Sequence, residues 1–405
     1  MLVSFHAGFR RSPEISTHAQ AQAVYTAWEA NFAETAPFVD KCLDPQRDER
    51  IRDLVGRYLR GREPLFTARI EAGKVCDGHG DLQAEDIFCL DDGPRNLDCV
   101  EFDDELRYAD VLADVAFLVM DLERLGRPDA ASAFAEAYEV LAGERFPLSL
   151  LHHYCAMRAY VRAKIACLRH DQGDESARAD AGHLHGLALE YLETAQVRLV
   201  LIGGLPAIGK STLAARLATS QGWALLRSDE VRKELFAPEP GSSGPLGYGQ
   251  GIYDDEKTAT TYRVLLERAG DALSLGRSVV IDASWSREVW RHWASDLAAR
   301  SVSGFWELLC DLDGGEASRR LTSRIEAGSD VSDATPEVAA LMAGSLEPSP
   351  SATVVETSAT PARLLPRFSI SSRSHPRVLV RHRISSKAEG CPNRTLFCPV
   401  NAADD

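Results

Sequence analysis

Apolar residues recur three or four positions apart through most of the first 195 residues, whereas from residue 197 short β-branched runs alternate with amphipathic stretches. The first pattern is that of helices burying one stripe, and it predicts helices at 15–32, 48–60, 111–125, 130–141 and 148–168, with a last one ending near residue 196. An interruption at 75–102 holds two apolar runs, 87–90 and 97–102, around Asp91-Asp92-Gly93-Pro94, which is the composition of a β-hairpin and its turn. The second pattern places strands at 197–202, 223–227, 278–281, 304–310 and 352–356. Strands separated by helices imply a parallel sheet covered on both faces. The expected fold class is therefore α/β, with a mostly helical module at 1–195 followed by a domain built on a five-stranded parallel sheet at 196–365. From 366 to 405 the periodicity stops and Ser, Arg and Pro dominate; a disordered tail is expected there, basic with seven Lys+Arg against three Asp+Glu.

Charge narrows the partners. The 405 residues carry 45 Lys+Arg and 60 Asp+Glu, a formal charge of −15. Such a field repels a phosphate backbone or an anionic bilayer, so neither nucleic acid nor membrane is an expected partner. The longest apolar stretch, around 199–208, is far short of the roughly 20 residues a spanning helix needs. The first nine residues lack the basic start and apolar core of a secretion signal, and a cytoplasmic protein is expected. Nine cysteines without a Cys-x-x-Cys pair fit reduced thiols better than disulfides or a zinc cluster.

The sharpest chemical signal is Gly204-Leu205-Pro206-Ala207-Ile208-Gly209-Lys210-Ser211-Thr212, which fits G-x-x-x-x-G-K-[ST] directly after a strand-like run and before a helix-like one. Glycines at those positions let successive backbone N–H groups turn inward on a phosphate, and the helix N-terminus adds its positive end. Lys210 is then placed on the β- and γ-phosphates of ATP, with the Ser211 hydroxyl as a ligand of Mg²⁺. Asp229 ends the second strand run, where an open parallel sheet faces its ligand, and can accept the proton of an acceptor hydroxyl; Arg232 lies one helical turn on, placed to hold an anion. Ser278-Val279-Val280-Ile281-Asp282 has the form of a Walker B strand, with Asp282 in the magnesium shell. Arg319, Arg320 and Arg324 follow the fourth strand on a helix, the 320/324 spacing aligning two guanidinium groups on one face.

Taken together, the loop at 204–211, Ser228-Asp229 with Arg232, Asp282 followed by Ser284 and Arg291, and Arg320 with Arg324 resemble the small P-loop kinases related to gluconate kinase, polynucleotide kinase and zeta toxins. The resemblance covers about residues 197–360 and implies phosphorylation of a hydroxyl, an arginine-bearing lid and a strand order of 2-3-1-4-5.

A second motif lies in the helical module: His79-Gly80-Asp81-Leu82-Gln83-Ala84-Glu85-Asp86, then Val100-Glu101-Phe102, then Asp110-x-x-x-Asp114. It resembles the catalytic loop of aminoglycoside and choline kinases, which implies a protein-kinase-like C-lobe, with Asp81 as catalytic base and Asp86 and Glu101 at the metal positions. Nothing upstream resembles the nucleotide-holding lobe of such kinases, since no G-x-G-x-x-G precedes His79 and Lys41 and Lys74 are the only lysines before Lys164. The order of the two modules is similar to a bacterial family described as aminoglycoside-phosphotransferase-like and ATP-binding, over about residues 1–362. In the run 148–168, Arg158 falls within the apolar stripe, and Asp81, Glu101 or Asp114 is its expected partner.

The leading expectation is a Mg-ATP-dependent phosphotransferase acting on a hydroxyl of a small metabolite. The alternatives are an ATP-binding regulatory module with slow or no hydrolysis beside a non-catalytic platform, and a working sugar or antibiotic kinase centred on Asp81. Neither the acceptor nor the oligomeric state leaves a fixed spacing in sequence.

Overall fold

The computed structural model describes residues 2–236, 251–327 and 336–358, the side chains of 321–327 and 336–338 excepted; the tail at 366–405 lies outside the described residues. The chain opens with helices α1 (Leu2–Gly8), α2 (Pro13–Thr17), α3 (Ala21–Thr35), α4 (Pro45–Gly61) and α5 (Glu63–Glu71). Short strands follow: β1 (Val75–Asp77), β2 (Ile87–Leu90), β3 (Gly93–Asn96) and β4 (Tyr108–Asp110), with β1 antiparallel to β4 and β2 antiparallel to β3. Helices α6 (Val111–Arg124), α7 (Pro128–Ala142), α8 (Leu148–Asp171) and α9 (Ala177–Ala195) complete this part. The remainder alternates: β5 (Arg198–Gly203), α10 (Lys210–Gln221), β6 (Ala224–Arg227), α11 (Ser228–Phe236), α12 (Asp255–Ser274), β7 (Val279–Asp282), α13 (Glu288–Arg300), β8 (Gly304–Asp311), α14 (Gly314–Ala327), α15 (Pro336–Gly344) and β9 (Thr353–Glu356).

Two expectations are corrected. The helix read at 15–32 is broken between α2 and α3, because the Ser16 and Thr17 hydroxyls donate to the carbonyls of Ser12 and Glu14, a local bonding pattern that competes with the helical ladder. The hairpin's second strand is 93–96 rather than 97–102. Gly93, at φ +119°, reverses the chain directly after Asp91-Asp92 and pairs with Leu90. Residues 97–102 run instead as loop, with Leu97 and Phe102 exposed.

All five strands of the large sheet are parallel, in the order β6-β7-β5-β8-β9, so the strand that enters the domain first lies at the centre. Its alternate residues bury on opposite faces. Val200, Ile202 and Val280 pack under Leu213, Ala214 and Leu217 of α10. Leu199, Leu201, Val279 and Ile281 join α12 and α13 in a core that continues without a break into the helical part.

The seam between the two parts lies at one edge of the sheet. Arg62, 1% exposed, donates to the Ser301 carbonyl at 2.7 Å and the Ser303 hydroxyl at 3.0 Å, just before β8. The Ser149 hydroxyl donates to the Gly276 carbonyl at 2.6 Å, just before β7. Every one of these contacts is made to a segment leading into a strand, at the amino-terminal edge of the sheet.

Within the helical part, the buried Asp48 carboxylate accepts from the Tyr160 hydroxyl at 2.8 Å and Arg52 Nε at 2.7 Å, with His185 Nε2 3.5 Å away. Burial alone raises its pKa, but the contacts with His185, Arg52 and Tyr160 outweigh burial and hold Asp48 at about 2 against an ordinary 3.8. A depressed carboxylate stabilises the fold above its unfolded pKa and loses that contribution as pH falls toward the folded one. Asp48→Asn is therefore expected to cost about 2 kcal/mol at neutral pH, the difference from wild type closing between about pH 4 and pH 2. Urea unfolding of both proteins across that range measures it.

Candidate functional site

The crevice at the carboxyl ends of β5, β6 and β7 gathers the P-loop residues. β5 is wholly buried and ends at Gly203, where the chain must turn sharply to start α10. Gly204 does this at φ +126°, a conformation closed to larger residues, and a Cβ there would collide with Ile208 and sit 2.9 Å from the Cys310 carbonyl. Gly209, at φ +97°, is the N-cap of α10. Leu205, Pro206, Ala207 and Ile208 form the arc between, Ala207 at φ +65° and both Ala207 and Ile208 buried. Lys210 and Ser211 thus open α10 with Thr212 beside them, Ser211 and Thr212 exposed at the helix N-terminus where the backbone dipole favours an anion.

Three charged side chains converge on this loop. Lys210 Nζ donates to the Leu205 carbonyl at 2.6 Å, and its charge acts on both Asp229 and Asp282. Asp282, 6% exposed at the end of β7, lies directly beside Ile202 in the sheet register and accepts from the Ser211 hydroxyl. Asp229 is in the first turn of α11, after β6. Both carboxyls are pushed above the ordinary carboxylate range, each first by burial and each also by the charge of another carboxylate: Asp282 acts on Asp229, and Glu230 acts on Asp282. Lys210 partly offsets the rise at both.

Other residues singled out from the sequence have different surroundings. Arg232 is buried, and its Nη1 donates to the Ile252 carbonyl at 2.8 Å and the Thr258 hydroxyl at 3.1 Å while the guanidinium stands over the Tyr253 ring. Arg320 pairs with Glu316 at 3.0 Å and reaches the Thr357 carbonyl at 3.4 Å; Arg324 is on the same helix, α14, with its side chain outside the described residues. Arg291 donates to the carbonyls of Trp285 and Pro348, both at 2.7 Å, and so fixes the loop after Asp282.

Two residues went unread in the sequence. Thr357, just past β9, donates its hydroxyl to the carbonyls of Ile208 and Asp311 and lies against Gly209, tying the phosphate loop to the far strands. A hydroxyl residue immediately after the last strand was the available signal. Arg227, at the end of β6, acts on Asp282 and has its Nε buried without a hydrogen-bond partner.

In the helical part, buried Asp114 accepts from the amides of His79 at 2.8 Å and Gly80 at 3.0 Å and pairs with His6 at 3.2 Å. This holds the His79-Gly80-Asp81 turn rigidly. Asp81 accepts from Gln83 Nε2 at 3.2 Å, and burial pushes its pKa up against the opposing charges of Arg162 and Arg158. Asp86 is close enough to Asp81 to feel its charge, while Glu101 is exposed; among the described residues no three His, Cys, Asp or Glu side chains are grouped to hold a metal ion. Arg158 lies over the Phe117 ring at 5.2 Å, with Asp114 and Asp81 as its electrostatic neighbours and no carboxylate within ion-pair distance among the described residues. The expected direct partner is absent there because Asp114 is already committed to His6 and two backbone amides.

Residues 199–349, from within β5 to just before β9, match the family model described as an AAA domain. Over 343 residues, 85% of this chain and 68% of the relative, the sequence is 40% identical to the Mycobacterium tuberculosis H37Rv protein Rv2004c, and equally to the Mycobacterium bovis protein Mb2027c. The chain belongs to this mycobacterial Rv2004c family. In this chain the matched AAA domain follows a helical module. Among solved structures, a sugar kinase from Janibacter sp. HTCC2649 is similar at a TM-score of 0.32 and 19% identity, covering 42% of this chain and 91% of its own. The M. tuberculosis APS kinase CysC is similar at 0.32 and 19%, covering 42% and 95%. No described helix is long and apolar enough to cross a membrane.

Proposed function

We propose that this protein is an ATP-dependent phosphotransferase whose P-loop domain moves the γ-phosphoryl group to a hydroxyl of a small molecule. The observation carrying this reading is the convergence of Lys210, Asp229 and Asp282 on one phosphate loop, with two carboxyls of raised pKa beside the lysine. A site built only to hold a nucleotide needs the lysine and one metal carboxylate; a second carboxyl beside them is what proton removal from a hydroxyl requires, and half-buried Asp229 supplies it.

In this reading the amides of 204–212 and the α10 N-terminus bind the phosphates, and Lys210 neutralises the charge that builds on the transferred group. The Ser211 hydroxyl and the Asp282 carboxylate are adjacent oxygen donors, a set suited to Mg²⁺, which when bound supplies further charge neutralisation. Asp229 accepts the acceptor's proton. Arg232 serves by positioning Ile252 and Tyr253 beside α11, and Arg320, together with Arg324, belongs to the lid helix α14. Asp81, Asp86 and Glu101 of the helical module stand outside this reaction.

ATP consumption is expected to rise several-fold or more when a library of hydroxylated metabolites contains the acceptor, with Mg²⁺ required. Measuring ADP release with and without each library pool, beside Lys210→Ala as the blank, tests it. Slow release that no pool stimulates would leave a nucleotide-binding switch as the better description.

A further inference from the structure

Cys42 and Cys167 are far apart in the sequence but share one small apolar cluster with Phe38, Leu43, Ala166 and Ala181. The Cys42 thiol is near enough to Cys167 to act on it. Cys167 projects from near the C-terminal end of the long helix α8 and is fully buried. Cys42 is half-buried in the connection between α3 and α4. That connection is wound tightly: the amides of Lys41, Cys42 and Leu43 all donate to the Phe38 carbonyl, and Asp40 takes up a left-handed φ of +70°. A constrained loop on one side and a buried helix on the other bring the two cysteines into this one cluster. The loop also lines an open groove with Pro45, Glu175 and Arg178, through which a small polar molecule reaches Cys42.

We propose that Cys42 and Cys167 form an oxidisable dithiol that a hydroperoxide converts into an intramolecular disulfide. The Cys42 sulfur attacks the peroxide, the O–O bond breaks, and Cys42 becomes a sulfenic acid while the peroxide leaves as an alcohol, or as water from hydrogen peroxide. The Cys167 sulfur then attacks the Cys42 sulfur; the S–S bond forms, the S–O bond breaks, and the Cys167 proton departs with the hydroxyl as water. Two electrons pass from the two thiols to one peroxide. Burial and the neighbouring Cys42 push the Cys167 thiol up to about 12, so it stays protonated and inert until its partner has been oxidised. The bridge closes a loop of about 125 residues and ties the segment before α4 to α8, a constraint that stabilises by limiting the unfolded chain. Composition points to reduced thiols overall, and this pair is the exception that geometry singles out.

The test uses the full chain treated with hydrogen peroxide, digested with trypsin without reductant and mapped by mass spectrometry. Cleavage after Lys41, Arg47, Lys164 and Arg169 isolates the two cysteines on separate short peptides. The expected result is one linked species, 2 Da lighter than the sum of the two, that accounts for most of Cys42 and disappears with dithiothreitol. The unfolding midpoint should rise by several degrees on oxidation, and not in Cys42→Ala or Cys167→Ala. Cys167→Ala should in addition trap the Cys42 sulfenic acid as a dimedone adduct. Recovery of unlinked Cys42 and Cys167 peptides from wild-type protein whose exposed Cys89 and Cys99 are oxidised would overturn the proposal, as would a midpoint shift that survives in Cys42→Ala.

Discussion

Lys210→Ala is expected to lower kcat/KM for ATP by roughly 10³-fold, the scale of removing one preorganised cationic group from a site where transferred charge accumulates. The loss should fall on nucleotide chemistry alone. Lys210 is half-buried and donates to the Leu205 carbonyl of its own loop, so the variant should keep its unfolding midpoint within a few degrees. A second consequence separates this site from a merely structural lysine. The Lys210 charge offsets the burial of both Asp229 and Asp282, so its removal should lift both carboxyl pKa values further. Isothermal titration of Mg-ATP and steady-state ADP release, run beside thermal unfolding, check all of this. Retention of wild-type turnover would remove the phosphate loop from the reaction.

Asp229→Asn is expected to reduce kcat by roughly 10²–10⁴-fold with little change in nucleotide affinity, because the substitution keeps shape while removing a general base. The sign of the pH dependence follows from the raised pKa. Asp229 works only when ionised, so wild-type turnover should decline as pH falls through its folded pKa, and burial places that decline above the range of an ordinary carboxylate. The amide variant should lose that acid limb and show a residual rate with no pH dependence there. Rates of acceptor phosphorylation across pH decide it; an unchanged limb in Asp229→Asn would assign the base to another group.

How much of this was readable from residues alone depends on the range of the interaction involved. The phosphate loop was legible because its function is local: Gly204, Gly209, Lys210 and Ser211 act through backbone turns and a helix start a few residues apart. The parallel strands were legible because burial on both faces demands near-continuous apolar runs, as in Leu199 to Ile202. Thr357 was not, since its hydroxyl matters only once β9 has been laid two strands away from β5. Arg232 acts on Asp229 from one helical turn away, as its spacing implies, but its bonds to Ile252 and Thr258 lie 20 and 26 residues onward, where no helical spacing foretells them. The hairpin shows a different limit. Its two apolar runs were visible, but one glycine with positive φ decided where the chain reversed, and the second run was left facing water.

The placement of Arg62 and Ser149 has a mechanical consequence. The sheet joins the helical half through a shared apolar core and through polar contacts at the roots of its strands. Strands of four to eight residues set a gap of roughly 13–26 Å between root and tip. The phosphate loop at the tip of β5 thus lies about a strand's length from Arg62 and Ser149, the side chains that tie the roots of the sheet to the helical half.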